Sequence, residues 1–187
     1  MDIRTIRSRK AIIQAGLQLF IQNEDSTLVD IAKAADVGRA TLYRQFKTRE
    51  DLQECIGLHC LDRFDEVNVD VEAQARNPMD ALRLILQNLL PLYPEFTFLS
   101  KFEVVLKRCK TLKSRMREQD DELRDLISLN LQQGFISDEY SVDWVFFFFE
   151  GLLWTGYQAI RSGHCDSAQA ATLAFQTFVH GVSYKTN

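Results

Sequence analysis

Apolar side chains recur every three or four residues along almost the whole chain, with polar side chains between them. This spacing is typical of amphipathic α-helices, and no stretch alternates between apolar and polar residues as a half-buried strand would. The pattern therefore predicts an all-α fold. The predicted helices cover about Thr5–Gln22, Arg49–Asn68, Phe96–Arg108, Thr111–Phe135, Ser141–Gly163 and Asp166–Tyr184, with another opening at Pro78.

The stretch from Thr27 to Leu52 predicts two short helices joined by a tight turn, followed by the start of a longer helix. Thr27, with Asp30 three residues later, forms a helix start of the capping-box type. The second helix carries cations and hydrogen-bonding groups on its outer face, and no acidic residue lies between Asp36 and Glu50. A helix that lies in a DNA groove needs such a face. The inner apolar set consists of Ile31, Ala32, Ala35, Val37, Leu42 and Phe46.

The same residues resemble the amino-terminal DNA-binding signature of TetR/AcrR-type transcriptional regulators. The signature TxxxIAxxAxVxxxTLYxxFxxxxxL is filled by Thr27, Ile31, Ala32, Ala35, Val37, Thr41, Leu42, Tyr43, Phe46 and Leu52. The resemblance covers roughly the first quarter of the chain. It implies a three-helix helix-turn-helix DNA-binding headpiece in residues 1–47 and a larger helical body in residues 48–187, which would bind an effector and form the dimer.

The resemblance also implies which side chains contact DNA. Arg39 and Arg44 can offer guanidinium groups to guanine edges or to phosphates, and Gln45 can contact a base or a phosphate. A second group is expected to bind phosphates and set the register without reading sequence. It comprises Thr27, Thr41, Tyr43, Lys47 and Arg49, and Gly38 and Ala40 complete the expected interface. Without the resemblance, a cationic helix face would indicate only solubility.

Three positions depart from the pattern of the family. The loop Asn23–Ser26 is about two residues shorter than usual and lacks the usual glycine and aromatic residue. Asp36 stands where Gly commonly accommodates a left-handed backbone. Gly38 stands where Ser or Thr would cap the recognition helix, so the helix gains no side-chain oxygen at its start. The departures at Asp36 and Gly38 are expected to make the affinity for DNA modest.

The charge distribution separates the two predicted parts of the chain. The net charge of −4 would by itself argue against a nucleic-acid-binding protein. Residues 1–52, however, hold nine basic against seven acidic side chains, whereas the remainder holds thirteen against nineteen. A basic end on an acidic body orients a molecule towards DNA.

Several other classes of protein are not indicated. No apolar run approaches the roughly 20 residues that span a bilayer, and no signal peptide is recognisable, so a cytoplasmic protein is expected. No nucleophile elbow, glycine-rich phosphate loop or metal-ligand spacing occurs, so neither an enzyme, a cofactor nor a metal site is predicted. Among the four cysteines, only Cys109 has basic neighbours that would suit a redox sensor, and buried free thiols are the alternative.

The body contains polar groups among aromatic residues, which could form an effector pocket. A carboxylate in apolar surroundings would anchor a cationic or hydrogen-bonding ligand. The candidate residues are His59, Gln87, Phe98, Phe102, Glu103, Phe146, Glu150, Trp154 and Tyr157, with Phe96 and Phe149 as further walls. The alternative is that the aromatic residues are core or dimer seam, and that each Glu meets an Arg or solvent.

The last two helices are too apolar to be covered by one chain, which fits the four-helix dimer interface that the resemblance implies. The sequence thus predicts a homodimeric transcriptional regulator, in the first instance a repressor, released from palindromic double-stranded DNA by a small-molecule effector. Two alternatives stay open: a DNA-binding regulator controlled by a protein partner, and a helical ligand-binding dimer that has lost its affinity for DNA.

Overall fold

The computed structural model describes residues 3–182, which fold into α-helices connected by short turns. The all-α prediction is confirmed. The end predicted for the last helix, at Tyr184, lies outside the described residues. The helices are α1 (Ile3–Gln22), α2 (Leu28–Ala34), α3 (Arg39–Gln45), α4 (Arg49–Asn68), α5 (Val71–Gln74), α6 (Pro78–Leu89), α7 (Tyr93–Lys101), α8 (Glu103–Leu106), α9 (Lys110–Gln132), α10 (Val142–Arg161) and α11 (Ser167–Val182), with a 3₁₀ turn at Leu90–Leu92.

The chain divides into two compact units, each assembled from two separate segments. The first unit contains the residues up to Arg63 together with Pro94–Arg115. The second contains Phe64–Tyr93 together with the residues from Met116 onward. The boundary at residues 47 and 48, which followed from the resemblance, stays a prediction, because the first unit combines the amino-terminal helices with a later segment.

The core of the first unit forms where α1, α2 and α3 pack against one another. Ile12, Phe20, Ile31 and Leu42 are all fully buried there. Gly16 lets α1 approach α4 closely, because a Cβ at this position would lie 2.8 Å from the Cδ1 atom of Ile56. The amphipathic pattern of the first helix is thus explained by a shared apolar core.

The second unit is built around α6, α10 and α11, which pack together with the 3₁₀ turn. Phe149 and Phe178 meet edge to face at the α10–α11 contact, with ring centroids 5.5 Å apart. Gly156 allows the turn to approach α10, because a Cβ there would lie 2.5 Å from the Cδ2 atom of Leu90. Close packing of this kind fixes the helices in a single arrangement.

Proline positions account for the interruption after α6. Pro91 lies in the 3₁₀ turn that follows α6, and Pro94 occupies the first turn of α7, where its missing N–H costs nothing. The helix predicted from Phe96 to Arg108 is wrong in one respect. It is interrupted at Phe102, whose backbone leaves the helical conformation at φ −106° and ψ 14°.

The long charged helix is confirmed as α9, although it ends at Gln132, shortly before Gly134 with its positive φ of 75°. Leu129 is apolar but does not face the core, since 40% of this residue is exposed. The buried residues in this part of α9 are Ile127 and Asn130. No helix within residues 3–182 is long and apolar enough to cross a membrane.

Candidate nucleic-acid interface

The first helix of the predicted pair begins with a capping box, as the sequence indicated. The backbone N–H of Thr27 donates to the Oδ2 atom of Asp30 at 2.9 Å, and the N–H of Asp30 donates to the Thr27 Oγ1 atom at 3.2 Å. Bonds from the hydroxyl and then the backbone N–H of Thr27 hold the pKa of Asp30 below its usual value. The hydroxyl of Thr27 therefore serves the helix start, and its contact with phosphate stays a prediction.

The turn between α2 and α3 has the left-handed residue that the sequence placed at Asp36. This residue has a φ of 52°, which Asp tolerates better than most non-glycine residues. The N–H of Val37 closes the turn by donating to the Ala32 carbonyl at 3.0 Å. Gly38 then starts α3 in an extended conformation without a side-chain cap. The helix-turn-helix is confirmed, including its uncapped second helix.

Helix α3 separates a buried side from a solvent-facing side. Leu42 is fully buried and Phe46, the residue that ends the helix, is 2% exposed. Nearly half of Tyr43 is exposed, and a flanking group of residues is exposed with it. This group consists of Gly38, Arg39, Ala40, Arg44 and Lys47, whereas Thr41 is half-buried. The structure therefore leaves two guanidinium groups, one ammonium group and a phenol hydroxyl accessible to a DNA groove.

Two side chains predicted to contact DNA also hold the first unit together. The Gln45 Nε2 atom donates to the Ser8 Oγ atom of α1 at 2.8 Å, and the guanidinium carbon of Arg49 lies 5.1 Å from the ring centroid of Phe20. The Gln45 Oε1 and Arg49 Nε atoms are buried without a hydrogen-bond partner in the described part of the chain. Ser8 was not predictable from the sequence, because it is one of several polar residues on α1.

Arg9 forms a second connection between α1 and its neighbours. Its guanidinium carbon lies 4.7 Å from the ring centroid of Phe46, and its Nη2 atom donates to the Cys55 Sγ atom at 3.0 Å. Burial raises the pKa of the Cys55 thiol, and the charge of Arg9 only partly opposes this effect. Arg9 therefore fixes the end of the recognition helix against α1, and Cys55 stays a neutral thiol near pH 7.

The shortened loop between α1 and α2 is held by local hydrogen bonds. Ser26 is buried, and its hydroxyl lies 2.7 Å from the Asn23 carbonyl oxygen and 3.3 Å from that of Leu19. The side chain of Asn23 accepts a hydrogen bond from the N–H of Asp25 at 3.0 Å. The polar groups of the tight turn are thus satisfied without the glycine that the family pattern has there.

The candidate effector residues of the first unit do not surround a buried carboxylate. Phe98 and Phe102 are buried, His59 is half-buried, and Glu103 is exposed and paired with Lys107. The expectation of a carboxylate in apolar surroundings is therefore wrong for Glu103. This residue begins the short helix α8, and its side chain is exposed to solvent. Its role in ligand binding, like that of the other three, stays a prediction.

The candidate effector residues of the second unit also differ in their surroundings. Phe146 is buried beneath Arg124, whose guanidinium carbon lies 3.7 Å from its ring centroid, and the Tyr157 hydroxyl donates to the Leu89 carbonyl at 3.0 Å. Gln87, Glu150 and Trp154 are exposed. The expectation of a buried carboxylate is therefore wrong for Glu150 as well, because this residue lies on the exposed side of α10. Ligand contacts by these five residues stay predictions.

Among the described residues, the cysteines form no disulfide and no metal-binding group is present. Cys109 is half-buried and is not part of a disulfide. Within residues 3–182, no group of three His, Cys, Asp or Glu side chains is arranged to hold a metal ion. Among the candidate sites of the first unit, the outer face of α3 is the one where several polar side chains are exposed together.

A helix-turn-helix with an exposed cationic second helix defines a DNA-binding transcriptional regulator. Residues 12–54 match the family described as bacterial regulatory proteins, tetR family. The amino-terminal part of the chain thus matches the TetR-family model, as the resemblance implied, and this match supports a TetR-type DNA-binding regulator.

One relative is similar to most of the chain in sequence, and its solved structure is similar in fold. The chain is 27% identical over 158 residues to the HTH-type transcriptional repressor LfrR of Mycolicibacterium smegmatis, covering 84% of this chain and 81% of LfrR. The structure of LfrR in complex with proflavine has a TM-score of 0.77 at 22% identity, covering 96% of this chain and 98% of that one.

Two other regulators share the fold at lower sequence identity. The ketosteroid transcriptional regulator KstR2 of Mycobacterium tuberculosis has a TM-score of 0.82 at 16% identity, with 95% of each chain covered. AibR, solved with isovaleryl coenzyme A and operator DNA, has a TM-score of 0.76 at 20% identity, covering 90% of this chain and 96% of that one. These likenesses show the fold of most of the chain, beyond the segment that the family model matches.

Proposed function

We propose that this regulator is a cytoplasmic, homodimeric repressor that binds a palindromic operator and releases it when a small molecule binds its body. The observation that carries the proposal is the outer face of α3, where Arg39, Tyr43 and Arg44 are exposed while Leu42 is buried. Buried residues fix the orientation of the helix, so the exposed side chains are presented together to a major groove.

The dimer is supported by an apolar surface on the last two helices. Trp144, Phe147 and Trp154 follow one another along α10 with about half or more of each side chain exposed, and Leu173 of α11 is 58% exposed. A monomer would leave these large apolar groups in water. A second copy of the same surface would cover them and give the two-fold symmetry that a palindrome requires.

Control by a small molecule is supported by the ligands in the solved relatives. LfrR was solved with proflavine and AibR with isovaleryl coenzyme A together with operator DNA. Proflavine is a planar aromatic cation, and the body of this chain is acidic and rich in aromatic residues. A planar aromatic cation is therefore the first class of effector to test.

The DNA-binding function is tested with a duplex from the promoter beside the regulator's own gene. Salt-sensitive binding that exceeds binding to a shuffled duplex by at least about 10³-fold is expected for a sequence-specific site. Equal binding to both duplexes would contradict the proposal. It would favour the alternative of a helical ligand-binding dimer that has lost its affinity for DNA.

Effector control is tested on the same complex by adding proflavine or an acyl coenzyme A. An effector raises the melting temperature of the protein and dissociates the duplex, because it binds the DNA-incompetent state more tightly. If neither compound class has an effect on DNA binding while specific binding persists, a regulator controlled by a protein partner becomes the favoured interpretation.

A further inference from the structure

The carboxyl end of α1 is contacted by a basic side chain from a distant part of the sequence. The last turn of α1 contains no basic residue. Lys101, the final residue of α7, places its Nζ atom 3.0 Å from the Ile21 carbonyl oxygen and 3.4 Å from that of Phe20. The same ammonium group pairs with the Glu24 Oε1 atom at 3.3 Å. Carbonyl groups at a helix end lack intrahelical partners and carry partial negative charge, so the ammonium group stabilises this end.

Aromatic side chains make a second connection at the same place. The fully buried ring of Phe20 lies 5.5 Å from the ring of Phe102 and 6.2 Å from that of Phe98, measured between centroids. The guanidinium of Arg49 lies against the ring of Phe20 as well. Phe20 therefore connects Phe98 and Phe102 to Arg49, the residue that starts α4.

The local structure explains why Lys101 reaches the end of α1. Helix α7 ends at Lys101, and the backbone departs from the helical conformation at the next residue, Phe102. The loop that follows α1 contains the Asn23 and Ser26 hydrogen bonds and leads directly into the capping box of α2. The position of the end of α1 consequently affects where the helix-turn-helix begins.

We infer that Lys101 is a positioning residue for DNA binding, because it fixes the carboxyl end of α1 and the loop from which the helix-turn-helix starts. This inference rests on the DNA-binding function proposed above. Lys101 neutralises no phosphate in this role, since its ammonium group is held by three oxygen atoms of α1 and Glu24. Its loss weakens DNA binding by misplacing α2 and α3, while the number of phosphate contacts stays the same.

The test compares the full chain with its Lys101→Met variant on the operator duplex at several salt concentrations, well below the melting temperature. The expected result is a dissociation constant roughly three- to tenfold higher at every salt concentration. The slope of the logarithm of the binding constant against the logarithm of the salt concentration stays unchanged, because that slope counts neutralised phosphates. A slope smaller by about one contact would make Lys101 a DNA ligand and would overturn the inference.

Three matched variants separate positioning from a general loss of charge or stability. Lys110→Met removes the same charge from an exposed site at the start of α9 in the same unit, and is expected to bind DNA within about twofold of the unchanged chain. Lys101→Arg retains the cation and restores most of the affinity. Glu24→Gln removes only the exposed ion pair and has a small effect, because the contacts of Lys101 with the carbonyl oxygens of α1 persist.

Hydrogen exchange gives a readout at the site itself. The amides of Asn23 and Ser26 exchange faster in Lys101→Met, while those in α11 do not. If Lys101→Met does not fold, Lys101→Gln undergoes the same measurements. Unchanged DNA affinity in a folded variant would refute the inference even if the melting temperature fell. Failure of the unchanged chain to bind the operator would instead refute the proposed function.

Discussion

Arg39 and Tyr43 occupy the same exposed face of α3 but carry different chemistry. The guanidinium of Arg39 can bond two acceptors of a guanine at once, whereas the phenol hydroxyl of Tyr43 suits a single phosphate oxygen. Arg39→Ala is therefore expected to cost about 1–3 kcal/mol on the operator and to relax the preference at one base pair. Tyr43→Phe is expected to weaken binding similarly on every sequence.

Binding to the operator and to its single-base variants distinguishes these two roles. The matched control is Lys33→Ala, which removes an exposed cation from α2 while leaving α3 unchanged. If Arg39→Ala lowers the affinity for all duplexes by the same factor, then Arg39 binds phosphate and the base is read by another residue.

Asp80 is the residue for which the structure predicts the clearest dependence of stability on pH. Its carboxylate accepts bonds from Arg76 and from Arg83, the latter at 2.6 Å, and it is 6% exposed. Side-chain bonds from Arg76, then those from Arg83, and the backbone N–H of Arg76 hold its pKa well below the usual value. The unfolded chain therefore binds a proton at a higher pH than the folded chain does.

The stabilisation from Asp80 is expected to be complete above the unfolded pKa of about 3.9 and to be lost as the pH falls through that value towards the folded pKa. Asp80→Asn should lower the free energy of unfolding at pH 7 and make its decrease between about pH 5 and pH 3 smaller. Urea unfolding measures both effects. Asp70→Asn, an exposed change in the same unit, serves as the control. An unaltered decrease in Asp80→Asn would contradict the assignment.

The role of a single residue was predictable from the sequence where it depends on residues close by in the chain. The capping box of Thr27 and Asp30 was predictable from the spacing of the two residues, and the left-handed Asp36 followed from the resemblance to the family pattern. The bond from Gln45 to Ser8 was not, because 37 residues separate the partners and both are ordinary polar residues. The exposure of Glu150 was also missed, since surrounding aromatic residues in sequence do not imply burial on a helix.

Within the helix-turn-helix, α3 differs from α2 because it starts without a side-chain cap. Gly38 has a φ of −66°, and a Cβ there would meet nothing closer than the Thr41 Oγ1 atom at 3.9 Å. Gly38→Ser is therefore expected to stabilise the protein by a few tenths of a kcal/mol, because the hydroxyl would accept a bond from a backbone N–H of the first turn.

Gly38→Ala provides the matched control, because it adds the same Cβ without an oxygen. Ala is a poorer cap than Gly, so this variant is expected to be less stable than the unchanged chain. Thermal unfolding of the three proteins gives the order Ser, Gly, Ala. If both variants change stability in the same direction, then the missing cap does not limit the stability of α3.

Elements with a regular apolar stripe were predictable, whereas the helix predicted from Phe96 to Arg108 is interrupted in the structure. Its aromatic residues suggest a single helix, but Phe102 interrupts it so that its ring can pack against Phe20. The interruption depends on a partner about 80 residues away, and local periodicity contains no information about that partner. The carboxyl end of α1 likewise has a distant partner, because Lys101 donates to the Ile21 carbonyl oxygen across 80 residues of sequence.

For the whole molecule, the exposed apolar face of α10 leads to a prediction about assembly. Phe147→Lys places a charge in this face, where Phe147 is 62% exposed in a single chain. The variant is expected to be monomeric by sedimentation equilibrium, with native helix content. Its affinity for a palindromic operator should fall by at least about tenfold, because two linked headpieces no longer bind two half-sites together.

Val69→Lys is the control for this experiment. Val69 is 76% exposed and lies outside α10 and α11, so this variant introduces the same charge without entering the proposed interface. It should remain dimeric and bind the operator normally. A dimeric Phe147→Lys variant with full affinity would show that the subunits associate through another surface.

The packing of Phe20 against Phe98 and Phe102 also bears on when the protein matures during translation. The amino-terminal helices leave the ribosome first, yet the partners that bury Phe20 are synthesised about 80 residues later. At 5–20 residues per second, this interval is on the order of 4–16 s. During that time the nascent chain has an incomplete apolar core, and full affinity for DNA is acquired only after the segment ending at Leu106 has been made.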